Sequence, residues 1–468
     1  VSRWRAPRPR SESWTIAAVA LLLRLLVVGW AAGRIPPTAD GTYYQTIAER
    51  IAAGHGYTWL WPDGAVTYAA HYPIGYPALI GAAYVAFGAK PVVAMVVHAV
   101  LGALGAFAAH RILLSYGRAA TLAGVLVAVH PGLVFYTPAL MTEGVAGVLV
   151  LLAAWAATCA RRLGVDSSAD GLARRRYGAL LAMGVTLGAA ALVRPQLIVL
   201  APFLGLAAAR PQAKKRLISA LVVTTLSFAT CAPWTLRNCV RMGRCAFVSV
   251  NGGWNLLIGT NPDARGGWAP VEVPAGCRTV FDEAGKDACF GEAAKQRIVE
   301  QPLSWASLAP GKLRATFDYC GAAGWYLHQA NPSAFGDTSK LTLGVVETLF
   351  ERLALMAALV ASFRPRWRLR HRSLRQALGS FATLLGLILA VTPQGALAHL
   401  VLTFGLGLRA LRSRLRPLET TAFALLASTM LIHAAFFGGG RYQLPTLALL
   451  TVVAATGSMR RRPKQEPA

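Results

Sequence analysis

The chain has 468 residues, a formal net charge of +27, 55% hydrophobic residues and only 14% charged ones. Soluble proteins are about a quarter charged, and apolar runs of near membrane-spanning length recur along this chain, so disorder and a single soluble domain are excluded. The basic excess would suit a nucleic-acid binder, but its placement argues against that, because the arginines sit in short segments between apolar runs.

In chain order the predicted spans are roughly 14–32, 91–110, 119–136, 141–160, 178–193, 195–210, 217–236, 341–362, 377–392, 395–409, 418–437 and 442–458. Basic clusters punctuate them: Arg3 to Arg10, Arg111 and Arg118, Arg161 and Arg162 with Arg174 to Arg176, and Arg210 with Lys214 to Arg216. Further clusters lie at Arg364 to Arg375, at Arg409 to Arg416, and at Arg460 to Lys464. Cytoplasmic loops are enriched in Lys and Arg. With the N-terminus inside, alternation puts every cluster in the cytoplasm. No cleavage pattern follows the first apolar run, which is read as a retained anchor. The predicted fold class is an all-α polytopic membrane protein with about twelve transmembrane helices.

The run 73–89, PIGYPALIGAAYVAFGA, breaks this parity if it crosses. It is read as a re-entrant or interface-lying segment on the outer side, consistent with its prolines and glycines. Residues 1–13 and 459–468 are then cytoplasmic tails, and 14–236 forms a transmembrane module that includes a first outer loop, 33–90. A long outer loop covers 237–340, and the last helices cover 341–458. Within the first loop, YYQTIAERIAAG has helical spacing, with Tyr44, Ile47 and Ile51 on one side, and predicts an amphipathic surface helix over 43–54. The long loop begins as the Gly/Pro/Asn-rich NGGWNLLIGTNPDARGGW and turns helical at GEAAKQRIVEQPLSWASLAPGKLRATF.

Five of the seven cysteines fall between 237 and 340. Cys239–Cys245 and Cys277–Cys289 are candidate pairs in an oxidising compartment, although sequence does not fix connectivity. No internal repeat, P-loop, zinc CxxC, HExxH or dinucleotide fingerprint is present.

Charged groups at span mouths stand out. Asp40 follows the first span in IPPTADGTYY and can serve as general base or cap the next helix. Glu143, in FYTPALMTEG, is a functional acid or an acid favoured by the helix dipole. Arg24 lies inside the first span, and Arg194, Arg237 and Arg441 lie at outer span ends. Arginine suits phosphate recognition, and it also anchors helix ends at lipid headgroups. His55, His71 and His130 lack tight metal-ligand spacing, so no metal site is assigned; a divalent ion is the alternative they leave open. Tyr72 belongs to an aromatic group with Tyr57, Trp59, Trp61, Tyr68 and Tyr76. This group fits an interfacial belt, a sugar-stacking surface or packing against a lipid tail.

Several motifs carry a family likeness in order: LLLRLL, ADGTYYQTIAERIAAGHGY, HYPIGYP, HPGLVFYTPALMTEG, LVRPQ, APWTLRN, VNGGWNLLIGTNP and GRYQLP. Together they resemble the GT-C glycosyltransferases, specifically the protein O-mannosyltransferases and bacterial aminoarabinose transferases. The likeness runs from residue 14 to about 265 and returns at 438–450; between, it is mainly the helical pattern that agrees. The resemblance implies sugar transfer from a polyprenyl-phosphate donor on the extracytoplasmic face, to a lipid, glycan or protein acceptor. It maps the family's catalytic acid to Asp40. Many relatives have two adjacent acids there, whereas this chain has Asp40-Gly41, so Asp40 works either alone or with Glu143 as the second acid. The expected chemistry is a single inverting displacement with Asp40 as base. Tyr44, His71 and Tyr72, with Arg194, Arg237, Arg441 and the deeper Arg24, are the candidate substrate-binding residues. No cofactor and no nucleic acid is expected. The expected location is a bacterial cytoplasmic (inner) membrane, because the Ala- and Arg-rich composition suggests a GC-rich bacterial source. The alternatives are a lipid-linked saccharide flippase, for which the repeated halves common in transporters are missing, and a non-catalytic scaffold of the same fold.

Overall fold

The structure, a computed structural model, describes residues 11–163, 170–209, 212–364 and 374–458. The basic residues Arg3 to Arg10, Arg210, Arg366 to Arg372 and Arg460 to Lys464 lie outside the described residues. The first elements are α1 (Ser11–Ala31), α2 (Asp40–Ala52), the hairpin β1 (Thr58–Leu60) and β2 (Val66–Tyr68), α3 (Gly75–Phe87) and α4 (Pro91–Ile112). Next come α5 (Arg118–Val129), α6 (Pro131–Phe135), α7 (Thr142–Leu163), α8 (Asp170–Val193), α9 (Leu200–Ala208) and α10 (Ala213–Arg241). The long polar stretch holds α11 (Gly252–Gly259), α12 (Glu283–Glu300), α13 (Pro302–Ser307), α14 (Ala309–Phe317) and α15 (Ala322–Ala330). The chain then runs through α16 (Asp337–Phe363), α17 (Leu374–Val391), α18 (Gly395–Arg412), α19 (Pro417–Ala435) and α20 (Leu444–Ala455).

Among the described residues, six helices are long and apolar enough to cross a membrane: Ser11–Ala31, Pro91–Ile112, Thr142–Leu163, Gly171–Val193, Ala213–Arg241 and Pro417–Ala435. Several other predicted spans are broken, and proline is the reason. The run 119–136 divides into α5 and α6 at His130-Pro131, because Pro131 has no amide to donate. The run 195–210 opens as a 3₁₀ turn, Pro195–Val199, before α9. The run 442–458 likewise begins inside a 3₁₀ turn, Gly440–Gln443, before α20.

The break after α5 explains an arginine inside a membrane helix. Because the helical ladder is interrupted at Pro131, the carbonyls of Val127 and Ala128 need donors from elsewhere. Arg24 supplies them, donating Nη1 to Ala128 at 3.1 Å and Nη2 to Val127 at 3.3 Å. Its Nη1 also reaches Ala20 O of its own helix at 3.0 Å. Gly102 on α4 makes room, since a Cβ there would collide with the Arg24 side chain. Arg161 does similar work at the other end of the bundle, donating to the carbonyls of Ala207, Ala209 and Leu415 at 2.8 to 3.0 Å.

The main core is a cluster of small and branched apolar side chains shared by α1, α4, α5, α7, α8, α9 and α16 to α20. Every residue of α20 is buried, as expected of a helix apolar all round. It packs on α5, α7, α16 and α19. Whatever immediately precedes α20 is therefore delivered to the middle of the bundle.

Residues 33–90 are more ordered than expected. The helix predicted over 43–54 is α2, and it starts earlier, at Asp40 itself. The run 73–89 forms the 13-residue α3, about 20 Å long at 1.5 Å per residue, against a hydrocarbon core of about 30 Å. It packs on α2, α4 and α8. Between α2 and α3 lies a hairpin that periodicity did not reveal, turned by Pro62, Asp63 and Gly64. The Asp63 carboxylate there accepts from the Ala65 amide at 3.0 Å.

In the long stretch, NGGWNLLIG is helical (α11) rather than a loop. Its glycine-rich start is capped from outside by Asp287, which accepts from the Trp254 amide at 2.9 Å. The predicted helical segment is divided into α12, α13 and α14 at Pro302 and Pro310. Both candidate disulfides, Cys239–Cys245 and Cys277–Cys289, are formed.

Candidate active site

Four of the sequence candidates meet. Asp40 is the first residue of α2, Glu143 lies in the first turn of α7, Arg194 follows α8, and Arg441 precedes α20. Arg441 Nη2 lies 2.8 Å from Asp40 Oδ2, and its Nε lies 3.8 Å from Glu143 Oε1. Arg194 Nη1 lies 3.0 Å from the same Glu143 oxygen. The order Asp40–Arg441–Glu143–Arg194 thus alternates in charge. The two acids differ in access: the Asp40 side chain is 26% exposed and that of Glu143 is 2% exposed.

Asp40 makes no capping bond to its own helix. Its other oxygen, Oδ1, accepts from the Tyr72 hydroxyl at 2.8 Å. Burial raises the Asp40 carboxyl, but the Arg441 charge and the bonds from Tyr72 and Arg441 outweigh it, so its pKa lies below the usual carboxylate range. Burial likewise opposes the Arg441 charge, while Tyr442, Asp40 and Glu143 keep it firmly protonated. Preceding Asp40, Ala39 adopts φ 51° and ψ −131°, a conformation that L-residues rarely take.

Tyrosines line the charged group. Tyr136 donates to Glu143 Oε2 at 3.1 Å. Tyr44 packs edge-on against Tyr76 and tilted against Tyr72, with ring centroids 5.0 Å away in each case. Tyr442 lies under both arginines, 5.4 Å from the Arg194 guanidinium and 5.1 Å from that of Arg441, within cation–π range. His433 stacks on the same ring at 4.4 Å. His71 packs edge-on against Tyr72 at 4.7 Å, and burial lowers its pKa although Asp40 pulls the other way.

Two candidates point elsewhere. Arg237 donates to the carbonyls of Ala69 at 2.8 Å and Tyr57 at 2.9 Å. Arg24 is committed to the end of α5. It also lines a cavity that reaches the site at Tyr136, with His98, Val148, Leu151 and Ala448 among its other walls. Among the described residues no group of three or more His, Cys, Asp or Glu side chains could hold a metal ion.

Sequence reasoning missed Tyr136, Tyr442 and Tyr326. The first two stand inside the motifs HPGLVFYTPALMTEG and GRYQLP. Tyr326 on α15 gave no signal, yet its hydroxyl accepts from the amides of Thr38 and Leu140, both at 3.3 Å. It thereby ties the segment before Asp40 to the segment before Glu143.

No family model and no curated protein matches the sequence. Among solved structures, the Archaeoglobus fulgidus oligosaccharyltransferase in its apo form is similar, with TM-score 0.50 and 15% identity, covering 98% of this chain and 51% of that one. The same enzyme tethered with an acceptor peptide gives TM-score 0.48 and 14% identity over 96% and 49% of the two chains. ArnT from Cupriavidus metallidurans bound to undecaprenyl phosphate gives 0.39 and 16% over 94% and 77%. The chain spans about half the length of the archaeal oligosaccharyltransferase. At these identities the likeness shows the fold alone, one shared with the archaeal oligosaccharyltransferase.

Proposed function

We propose that this protein is a membrane glycosyltransferase with about twelve crossings, moving a sugar from a polyprenyl-phosphate carrier to an acceptor on the extracytoplasmic face. The observation that carries the proposal is Asp40: an ionised, partly exposed carboxylate, free of capping duty, held between Tyr72 and Arg441 beside a second, buried acid. The backbone strain at Ala39 fits a position fixed for function. The GT-C-like fold, shared with an oligosaccharyltransferase, supports the reaction class.

In this reading the acceptor hydroxyl or amine gives its proton to Asp40 as it attacks the anomeric carbon. One bond forms at that carbon as the bond to the carrier phosphate oxygen breaks on the opposite face, so configuration inverts. The electron pair leaves with polyprenyl phosphate. Arg441 and Arg194 stabilise the charge that develops there. Arg194 already balances Glu143, which leaves Arg441 able to turn from Asp40 toward the phosphate. Tyr44, His71 and Tyr72 form the wall beside the sugar. The cavity below Tyr136 offers apolar walls to the first units of the lipid.

The test is a comparison of lipid-linked sugars in membranes with and without the protein. Loss of the protein leads to accumulation of one polyprenyl-phosphate sugar and an unmodified acceptor. Unchanged pools of every lipid-linked sugar would contradict the proposal.

A further inference from the structure

One carboxylate from the long polar stretch between α10 and α16 holds the backbone beside the site. Residues 69–72 form a strap with no regular secondary structure, and Ala69 and Ala70 are fully buried. Buried amides in such a segment need partners from outside it. Glu283, the first residue of α12, supplies them: its Oε2 accepts from the amides of Ala70 at 2.7 Å and His71 at 3.0 Å. The Val250 amide donates to Ala70 O at 2.8 Å, and the Tyr57 hydroxyl donates to Tyr72 O at 2.7 Å. The strap ends at Tyr72, whose hydroxyl holds Asp40.

Glu283 is itself fixed. One turn further along α12, Asp287 caps α11. The Cys277–Cys289 disulfide encloses both acids, and Cys277 and Phe290 are buried in the small core that α11 and α12 share. A carboxylate presented from a disulfide-closed, separately cored unit to two amides of the strap is a rigid connection.

We propose that Glu283 is a positioning residue for the transfer reaction, fixing the strap so that Tyr72 and Asp40 stay in register. The proposal rests on the reading of Asp40 as the working acid. It makes the long outer stretch part of the site's framework.

The experiment uses full-length protein in lipid nanodiscs and two readouts: backbone amide exchange of the peptide containing 69–72, and transfer rate. Glu283→Ala is expected to speed exchange in that peptide and to lower transfer by on the order of tenfold to a hundredfold. Glu283→Gln keeps an oxygen that accepts both amides and is expected to stay near wild type on both readouts. Should the alanine variant not fold, Glu283→Asp, one methylene short, gives the same pattern more mildly. In a Tyr72→Phe background, adding Glu283→Ala costs no more than about a further twofold, because the contact it protects is already gone. Unchanged exchange in Glu283→Ala, or independent multiplication of the two losses, would overturn the inference. Faster exchange with undiminished transfer would overturn it equally, whereas near-normal turnover by Asp40→Asn would overturn the reading of Asp40 on which it rests.

Discussion

Gly41 lies directly beneath the Tyr326 hydroxyl: a Cβ at position 41 would come within 2.8 Å of that oxygen and 3.1 Å of Leu140 O. The residue after Asp40 therefore has no room for a side chain unless Tyr326 moves. Gly41→Ala is expected to push Tyr326 off the amides of Thr38 and Leu140, at about 1–3 kcal/mol for an overpacked contact. Transfer falls with it. In a Tyr326→Phe background the same substitution costs less, which thermal unfolding and transfer rates of the four proteins would show.

Arg441 sets the charge state of Asp40. Its removal leaves burial, which raises the carboxyl, opposed by fewer groups. For Arg441→Gln the acidic limb of the rate–pH profile moves to higher pH. The sign for stability follows from the same shift. A carboxyl depressed in the folded state stabilises above its unfolded pKa and loses that contribution as pH falls through the folded value. The wild type is thus expected to lose stability at acid pH through Asp40, and Arg441→Gln to lose less there. Rate–pH profiles and melts across the acid range check both.

Glu143 is almost completely buried, and Arg194 is its nearest counter-charge. Arg194→Ala leaves Glu143 to the more distant Arg441 and is expected to destabilise by up to about 3–5 kcal/mol. The double variant Arg194→Met with Glu143→Gln removes both charges and is expected to recover most of that loss without recovering transfer. Thermal melts paired with activity assays distinguish the two effects.

Arg24→Met withdraws the donors that close the end of α5, leaving buried carbonyls unpaired at about 1–3 kcal/mol. The expected result is a lower melting temperature with the donor KM of the folded fraction unchanged. A raised KM at unchanged melting temperature would assign Arg24 to substrate instead.

The helices were legible because long apolar runs and their prolines are local signals, and Pro131 and Pro195 mark where two runs break. Asp40, Glu143, Arg194 and Arg441 were legible one by one, since a charge at the end of an apolar run is rare. Their meeting was not, because Asp40 and Arg441 come from opposite ends of the chain and only the buried α20 brings them together. Arg237 carries the same sequence signal as Arg194 yet serves the carbonyls of Ala69 and Tyr57, a choice made entirely by tertiary packing. Glu283 was one acid among many in a polar stretch. The helix α11 was hidden by its glycines, which form a helix here because Asp287, far along the chain, caps them.

The most direct measurement compares purified wild type, Asp40→Asn and Asp40→Glu in nanodiscs, following release of free polyprenyl phosphate from its sugar conjugate in the presence of acceptor. Asp40→Asn keeps the shape of the side chain and removes the base. The expected result is a folded Asp40→Asn protein with transfer reduced by on the order of a hundredfold or more, and partial activity in Asp40→Glu. Near-normal turnover by Asp40→Asn would contradict it.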